Sequence, residues 1–87
     1  MLVTIGMPAY NEEKTIAKVI TKLQLIADRI IVCDDGSTDM TSEIAENLGV
    51  IVIRHQKNKG YGAAISSIFD KAREINSDIL ITLDADG

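Results

Sequence analysis

Four short apolar runs, each of the first three followed by a stretch with helical spacing, constrain this chain more than any other feature. The runs are "LVTIGM" (residues 2–7), "RIIVC" (29–33), "VIVI" (50–53) and "DILITL" (78–83). Each is nearly continuous in apolar residues and rich in β-branched ones, the pattern of a parallel strand covered on both faces. Between them Ile16, Val19, Ile20, Leu23, Ile26 and Ala27 recur at spacings of three and four. So do Met40, Ile44, Ala45 and Leu48, and then Ala64, Ile65, Ile68, Phe69, Ala72 and Ile75. Such spacing gives each of three helices one apolar stripe.

The punctuation fits these helices. Asn11 and Asp39 stand where N-caps of the first and second helices are expected, with Glu12 and Glu13 in the first turn of the first. Gly49 follows the second helix as a terminator, and Gly36 occupies a turn position that calls for positive φ. The order β-α-β-α-β-α-β, with helices long enough for right-handed crossovers, predicts an α/β fold: a Rossmann-like, three-layer α/β/α arrangement. If the spatial order of its parallel sheet is 3-2-1-4, the ends of strands 1, 2 and 4 come near one another. Ligands of such sheets bind outside the carboxyl ends of the strands, where the order reverses.

Eighty-seven residues suffice for one domain, and 46% hydrophobic with 25% charged residues is the balance of a folded one. A net charge of −4 without a dense Lys/Arg cluster argues against a nucleic-acid surface. No apolar run approaches the roughly 20 residues of a membrane-spanning helix. Cys33 is the single cysteine, so no internal disulfide forms, and no secretory signal is evident. A reducing, cytoplasmic compartment is the expectation.

The chemistry should lie in the segments that follow the strands, "MPAYNEE", "DDGSTD", "RHQKNKGYG" and "DADG". In "DADG", Asp84 and Asp86 are two residues apart in extended chain and project to one side, where they could hold a hard divalent cation, Mg2+ or Mn2+. A polar turn closing a buried strand is the alternative. Asp34 and Asp35 are adjacent and point different ways, one to brace loops and one to accept a ligand's hydrogen bond, such as that of a nucleobase ring N–H. Tyr10 offers a flat face for a stacked base, or else packs over the strand ends, and Pro8 fixes the backbone beside it.

"NKGYGAA" brings Lys57, Lys59, two glycines and a helix N-terminus that could receive phosphate. It is no dinucleotide fingerprint, because Ile65 stands in place of the third small residue, and no Walker A loop, because G-K-[ST] is missing. His55 has no second His or Cys near it in sequence and reads as solvated or loop-packing. Cys33 reads as a small hydrophobe closing a buried strand.

Taken in order and spacing, "PAYNEE", "DDGSTD", "NKGYGAA" and "DADG" resemble the N-terminal half of the inverting family 2 of nucleotide-sugar glycosyltransferases, with the GT-A fold. Within it the chain is most similar to the polyprenol-phosphate sugar transferases, such as dolichyl-phosphate mannose or glucose synthases. The resemblance implies a nucleotide diphosphate sugar, UDP- or GDP-linked, held by Pro8, Ala9, Tyr10, Glu12, Asp35, Lys59, Asp84 and Ala85, with Cys33 near the base through its backbone. It implies a metal on Asp84 and Asp86, and a polyprenol phosphate as acceptor. It also implies a longer parent enzyme at the cytoplasmic face of a membrane, residues 1–87 forming its donor-binding subdomain without the acceptor half. Self-association through an exposed fourth strand follows as an expectation, and the alternative is a nucleotide-binding or self-associating fragment without activity of its own.

Overall fold

The computed structural model describes residues 1–85. Its elements are β1 (Val3–Ala9), α1 (Ile16–Leu23), β2 (Arg29–Asp35), α2 (Thr41–Asn47), β3 (Ile51–His55), α3 (Tyr61–Glu74) and β4 (Ile79–Thr82). The strands are parallel in the expected order β3-β2-β1-β4. Chain direction therefore reverses its walk across the sheet between β1 and β4, beside the strand ends that carry the motifs.

Two apolar clusters sandwich the sheet. Ile5, Met7, Ile30 and Val32 pack with Ile16, Ile20 and Leu23 of α1 and Ala45 of α2, while Ile31 and Cys33 pack with Ala64, Ile68 and Ala72 of α3. Gly6 lets α3 approach β1 closely, since a Cβ there would run into the Ile68 side chain. An eight-residue helix such as α1 is marginal alone. Burial of Ile16, Ile20 and Leu23, roughly 1.5–3 kcal/mol each, supplies what local propensity does not.

Several boundaries differ from the sequence expectation. β1 and β2 run two residues further than their apolar segments, so Pro8, Ala9, Asp34 and Asp35 belong to strands, and β3 reaches His55. Pro8 is tolerated because Leu83 N–H to Gly6 C=O, 3.0 Å, ends the β4 ladder on that side of β1; among the described residues no partner strand faces the missing N–H. Asn11 does not cap α1. It takes a left-handed φ of 51°, which asparagine tolerates, and the turn at Glu12, whose C=O accepts from Thr15 and Ile16, precedes the helix.

At its other end α1 stops at Leu23, and Ile26 lies outside it, 73% exposed, because the chain must turn back into β2. Met40 and Phe69, expected on apolar stripes, are half exposed. Asp39 acts one residue earlier than a formal N-cap, its Oδ1 accepting the Thr41 N–H and hydroxyl. Gly36 and Gly49 both take φ of 83°, as their turn positions require. No helix of the described residues is long and apolar enough to cross a membrane.

Candidate functional site

Successive side chains of a strand leave on opposite faces, and this separates the two neighbouring aspartates at the end of β2. Asp34 turns toward α2. Its Oδ1 accepts the Ser37 N–H at 2.9 Å, and its Oδ2 accepts the buried Ser42 hydroxyl. Asp35 turns toward α3, beside His55 of β3, its partner in the parallel register. Both carboxylates are almost completely buried.

Asp35 is held by three donors. Oδ1 accepts from Lys59 N–H at 2.9 Å and from His55 Nδ1 at 2.8 Å, and Oδ2 accepts from Gly60 N–H at 2.9 Å. Burial pushes this carboxyl up, but the His55 hydrogen bond and the Lys59 and Gly60 backbone N–H groups more than offset it. The group therefore stays ionised below the usual carboxylate range. Of the two sequence readings of His55, solvated or loop-packing, the first fails: its side chain is 7% exposed, and its Nε2 lies 2.9 Å from Ser67 Oγ on α3 and 3.6 Å from Cys33 Sγ. The signal that could have found it is the matching position of Asp35 and His55 at the ends of two strands that pair in parallel.

The three loops after β1, β2 and β3 are laced together. Asn11 N–H donates to Ser37 Oγ and Thr38 N–H to Asn11 Oδ1. Glu12 N–H donates to Thr41 Oγ1 and Met40 N–H to Glu13 Oε2. Gly36 lies against the backbone of the β3–α3 loop so closely that a Cβ would come within 2.5 Å of Asn58 N.

Above these loops opens a pocket of about 280 Å3, lined by Pro8, Ala9, Tyr10, Glu12, Asp35, Asp84 and Ala85 of the sequence-derived candidates. That volume is at the small end for ligand sites, roughly 300–1,000 Å3, and suits part of a nucleotide. Cys33 and Lys59 are not among the lining residues. The Cys33 side chain packs in the core, where burial first and then the charges of Asp35 and Asp34 push its thiol up to about 11, while Lys59 contributes its backbone N–H to Asp35.

Asn58, Gly60, Tyr61 and Ala64 complete the lining; Gly60 is one of the two glycines expected to receive phosphate, and the other three were not singled out from sequence. Tyr61 is the informative omission. It is one of three aromatic residues and lies inside "NKGYGAA", so its scarcity and position were a usable signal.

Asp84 sits on the opposite rim, exposed, with no hydrogen-bond partner among the described residues. Asp86, its proposed partner on a metal, lies outside the described residues. Among the described residues no group of three or more His, Cys, Asp or Glu could close a metal site. One or two carboxylates fit a hard cation that takes its remaining ligands from phosphate oxygens and water, and the free Asp84 carboxylate suits that role.

The model of the family described as "Glycosyl transferase family 2" matches residues 4–87. The UDP-N-acetylglucosamine–dolichyl-phosphate N-acetylglucosaminyltransferase of Methanococcus voltae is 40% identical over 104 residues, covering 99% of this chain and 41% of the relative. Among solved structures, glucosyl-3-phosphoglycerate synthase from Mycobacterium tuberculosis, in complex with Mn2+, UDP and glucosyl-3-phosphoglycerate, superposes with a TM-score of 0.76. It is 29% identical over 97% of this chain and 33% of its own. Mannosyl-3-phosphoglycerate synthase from Rubrobacter xylanophilus reaches a TM-score of 0.86 at 23% identity, a likeness of fold, over 99% of this chain and 31% of its own. The architecture is that of the GT-A fold, and the chain spans about two fifths or less of the length of these proteins.

Proposed function

The chain belongs to glycosyl transferase family 2, and on that footing we propose that it forms the donor-binding part of an enzyme that transfers a sugar from a nucleotide diphosphate sugar. The observation that carries this reading is the pocket itself. It gathers Tyr10, Glu12, Asp35, Asp84 and Ala85 from three separate strand ends into one concavity with an ionised carboxylate on its floor.

In this reading Tyr10 stacks on the base and Asp35 accepts its ring N–H. Asp84 with Asp86 would hold a divalent cation, which when bound neutralises charge on the departing nucleoside diphosphate. The Mn2+ and UDP named with the mycobacterial synthase support a cation of this kind. Inversion follows if the acceptor displaces the diphosphate in one step, on the sugar face opposite the leaving group. A polyprenol phosphate is the acceptor that the name of the Methanococcus relative supports. Its phosphate oxygen is already anionic, so a strong general base is unnecessary. Such a lipid acceptor would bring the enzyme to the cytoplasmic face of a membrane.

Calorimetric titration of UDP and GDP, each with and without Mn2+, tests the reading. The chain should bind one or both nucleotides more tightly with metal, and an Asp84→Ala, Asp86→Ala double variant should lose the metal-dependent part. A folded chain that binds neither nucleotide refutes it.

A specific observation also favours self-association. Among the described residues β4 is an edge strand, and Ile79, Ile81 and Leu83 lie on one face of it at 41%, 44% and 41% exposure. Light scattering should show mass rising with concentration, and a monomer at all concentrations removes this reading.

A further inference from the structure

The hydrogen bonds at Asp35 carry more than a fixed loop. An ionised carboxylate offers about four acceptor positions, two on each oxygen. Here His55 Nδ1 and Lys59 N–H take both positions on Oδ1, and Gly60 N–H takes one on Oδ2. Among the described residues no other donor reaches this group. One acceptor position remains, on Oδ2, at a residue that lines the pocket.

Uracil and guanine differ in what they ask of that position. Uracil presents one ring donor, N3–H, flanked by carbonyl oxygens. Guanine presents N1–H beside the exocyclic N2–H2, two parallel donors that match both oxygens of a carboxylate. With both Oδ1 positions filled, the second guanine donor finds no carboxylate partner, whereas uracil asks for only one acceptor.

We infer that His55 is a positioning and specificity-determining residue: together with the Lys59 N–H it fills Oδ1 of Asp35, leaves one acceptor position on Oδ2 and so selects uracil over guanine. This rests on the donor-binding reading above and narrows it to UDP-linked donors. The imidazole is well placed for the task. Nδ1 meets Asp35 at 2.8 Å and Nε2 meets the Ser67 hydroxyl at 2.9 Å, so β2, β3 and α3 together fix the ring plane. His55 touches neither base nor sugar and acts only through Asp35.

The experiment is nucleotide titration of the whole chain with Mn2+, comparing UDP, GDP and a UDP methylated at N3, for wild type, His55→Leu and His55→Asn. Wild type should bind UDP at least tenfold more tightly than GDP, and N3-methylation should cost at least tenfold. His55→Leu frees one of the two acceptor positions on Oδ1, the Lys59 N–H keeping the other, and should narrow the UDP-to-GDP ratio by threefold or more. His55→Asn keeps an amide N–H near the Nδ1 position and should restore the ratio, which a merely structural role would not require. Wild type binding UDP and GDP equally overturns the inference but leaves the donor reading intact, as does a His55→Leu ratio equal to wild type. Binding of neither nucleotide overturns the donor reading and this inference with it. If His55→Leu does not fold by circular dichroism, His55→Gln, whose amide is displaced from the Nδ1 position, takes its place, and a UDP-to-GDP ratio equal to wild type overturns the inference.

Discussion

The two sides of the pocket are built by opposite rules. On the β2 side, Asp34 and Asp35 are buried and tied to backbone N–H groups, hydroxyls and an imidazole, so their geometry is set before any ligand arrives. On the β4 side, Asp84 is exposed and without a hydrogen-bond partner among the described residues. The difference teaches what each side can recognise. A planar base with fixed donors is discriminated by a pre-organised acceptor, whereas a cation needs a carboxylate that still has its lone pairs to give.

The contrast predicts a graded series of outcomes. Asp35→Ala should have the largest effect, because it strands the His55, Lys59 and Gly60 donors in a part-buried place. A buried donor left unsatisfied costs roughly 1–3 kcal/mol, and the summed loss from the three is measurable by urea unfolding. Gly36→Ala comes next. Its left-handed φ alone costs about 1–3 kcal/mol, and the new Cβ would press on Asn58 N and Lys57 C, so the same unfolding assay should register a loss.

Tyr10→Ala separates binding from stability. The ring is 47% exposed, so unfolding should barely change, while nucleotide affinity falls by the roughly 1–3 kcal/mol of a lost stacking face. A Tyr10→Ala chain with unaltered affinity would place the base elsewhere, for instance against Tyr61.

Acid provides a subtler probe of the buried side. The Asp35 carboxyl is depressed in the folded chain, so its stabilising contribution is complete above the ordinary aspartate value of about 3.9. That contribution disappears as pH falls from there through the lower folded value. Asp39 is depressed too, because hydrogen bonds from Thr41 and Glu13 outweigh the opposing effect of burial, and it adds in the same direction. Stability followed against pH should therefore drop only below about pH 4, and Asp35→Asn should flatten part of that drop. Smallest of all, Asp84→Ala should leave stability within about 0.5 kcal/mol of wild type, its effect confined to metal-dependent binding. A large loss of stability there would show that the two sides are not built differently.

How far these properties could be read from residues alone varies with how local their causes are. Gly36 and Gly49 took the positive φ expected of them because a turn makes that demand within a few residues. Asn11, by contrast, was misplaced as a cap. Its side chain is used by Thr38, 27 residues away, and nothing near Asn11 in sequence announces that bond. Phe69 fits the helical period yet stays half exposed, because period places a residue on a stripe without stating how wide a surface covers it. His55 was missed for the most instructive reason: its role depends on Asp35, 20 residues earlier, arriving beside it.

By itself the sequence determined the alternation of strands and helices and the handedness of the crossovers, and the order β3-β2-β1-β4 that it was expected to have is the one the structure has. Alternation and handedness follow from apolar periodicity and chain chirality, which act over short stretches. Only the tertiary structure decided which face each aspartate takes, that His55 occupies one oxygen of Asp35, and that Asp84 makes no hydrogen bond among the described residues. Strand register couples residues far apart in the chain, and a shift of a single position would exchange the two faces and dissolve the network.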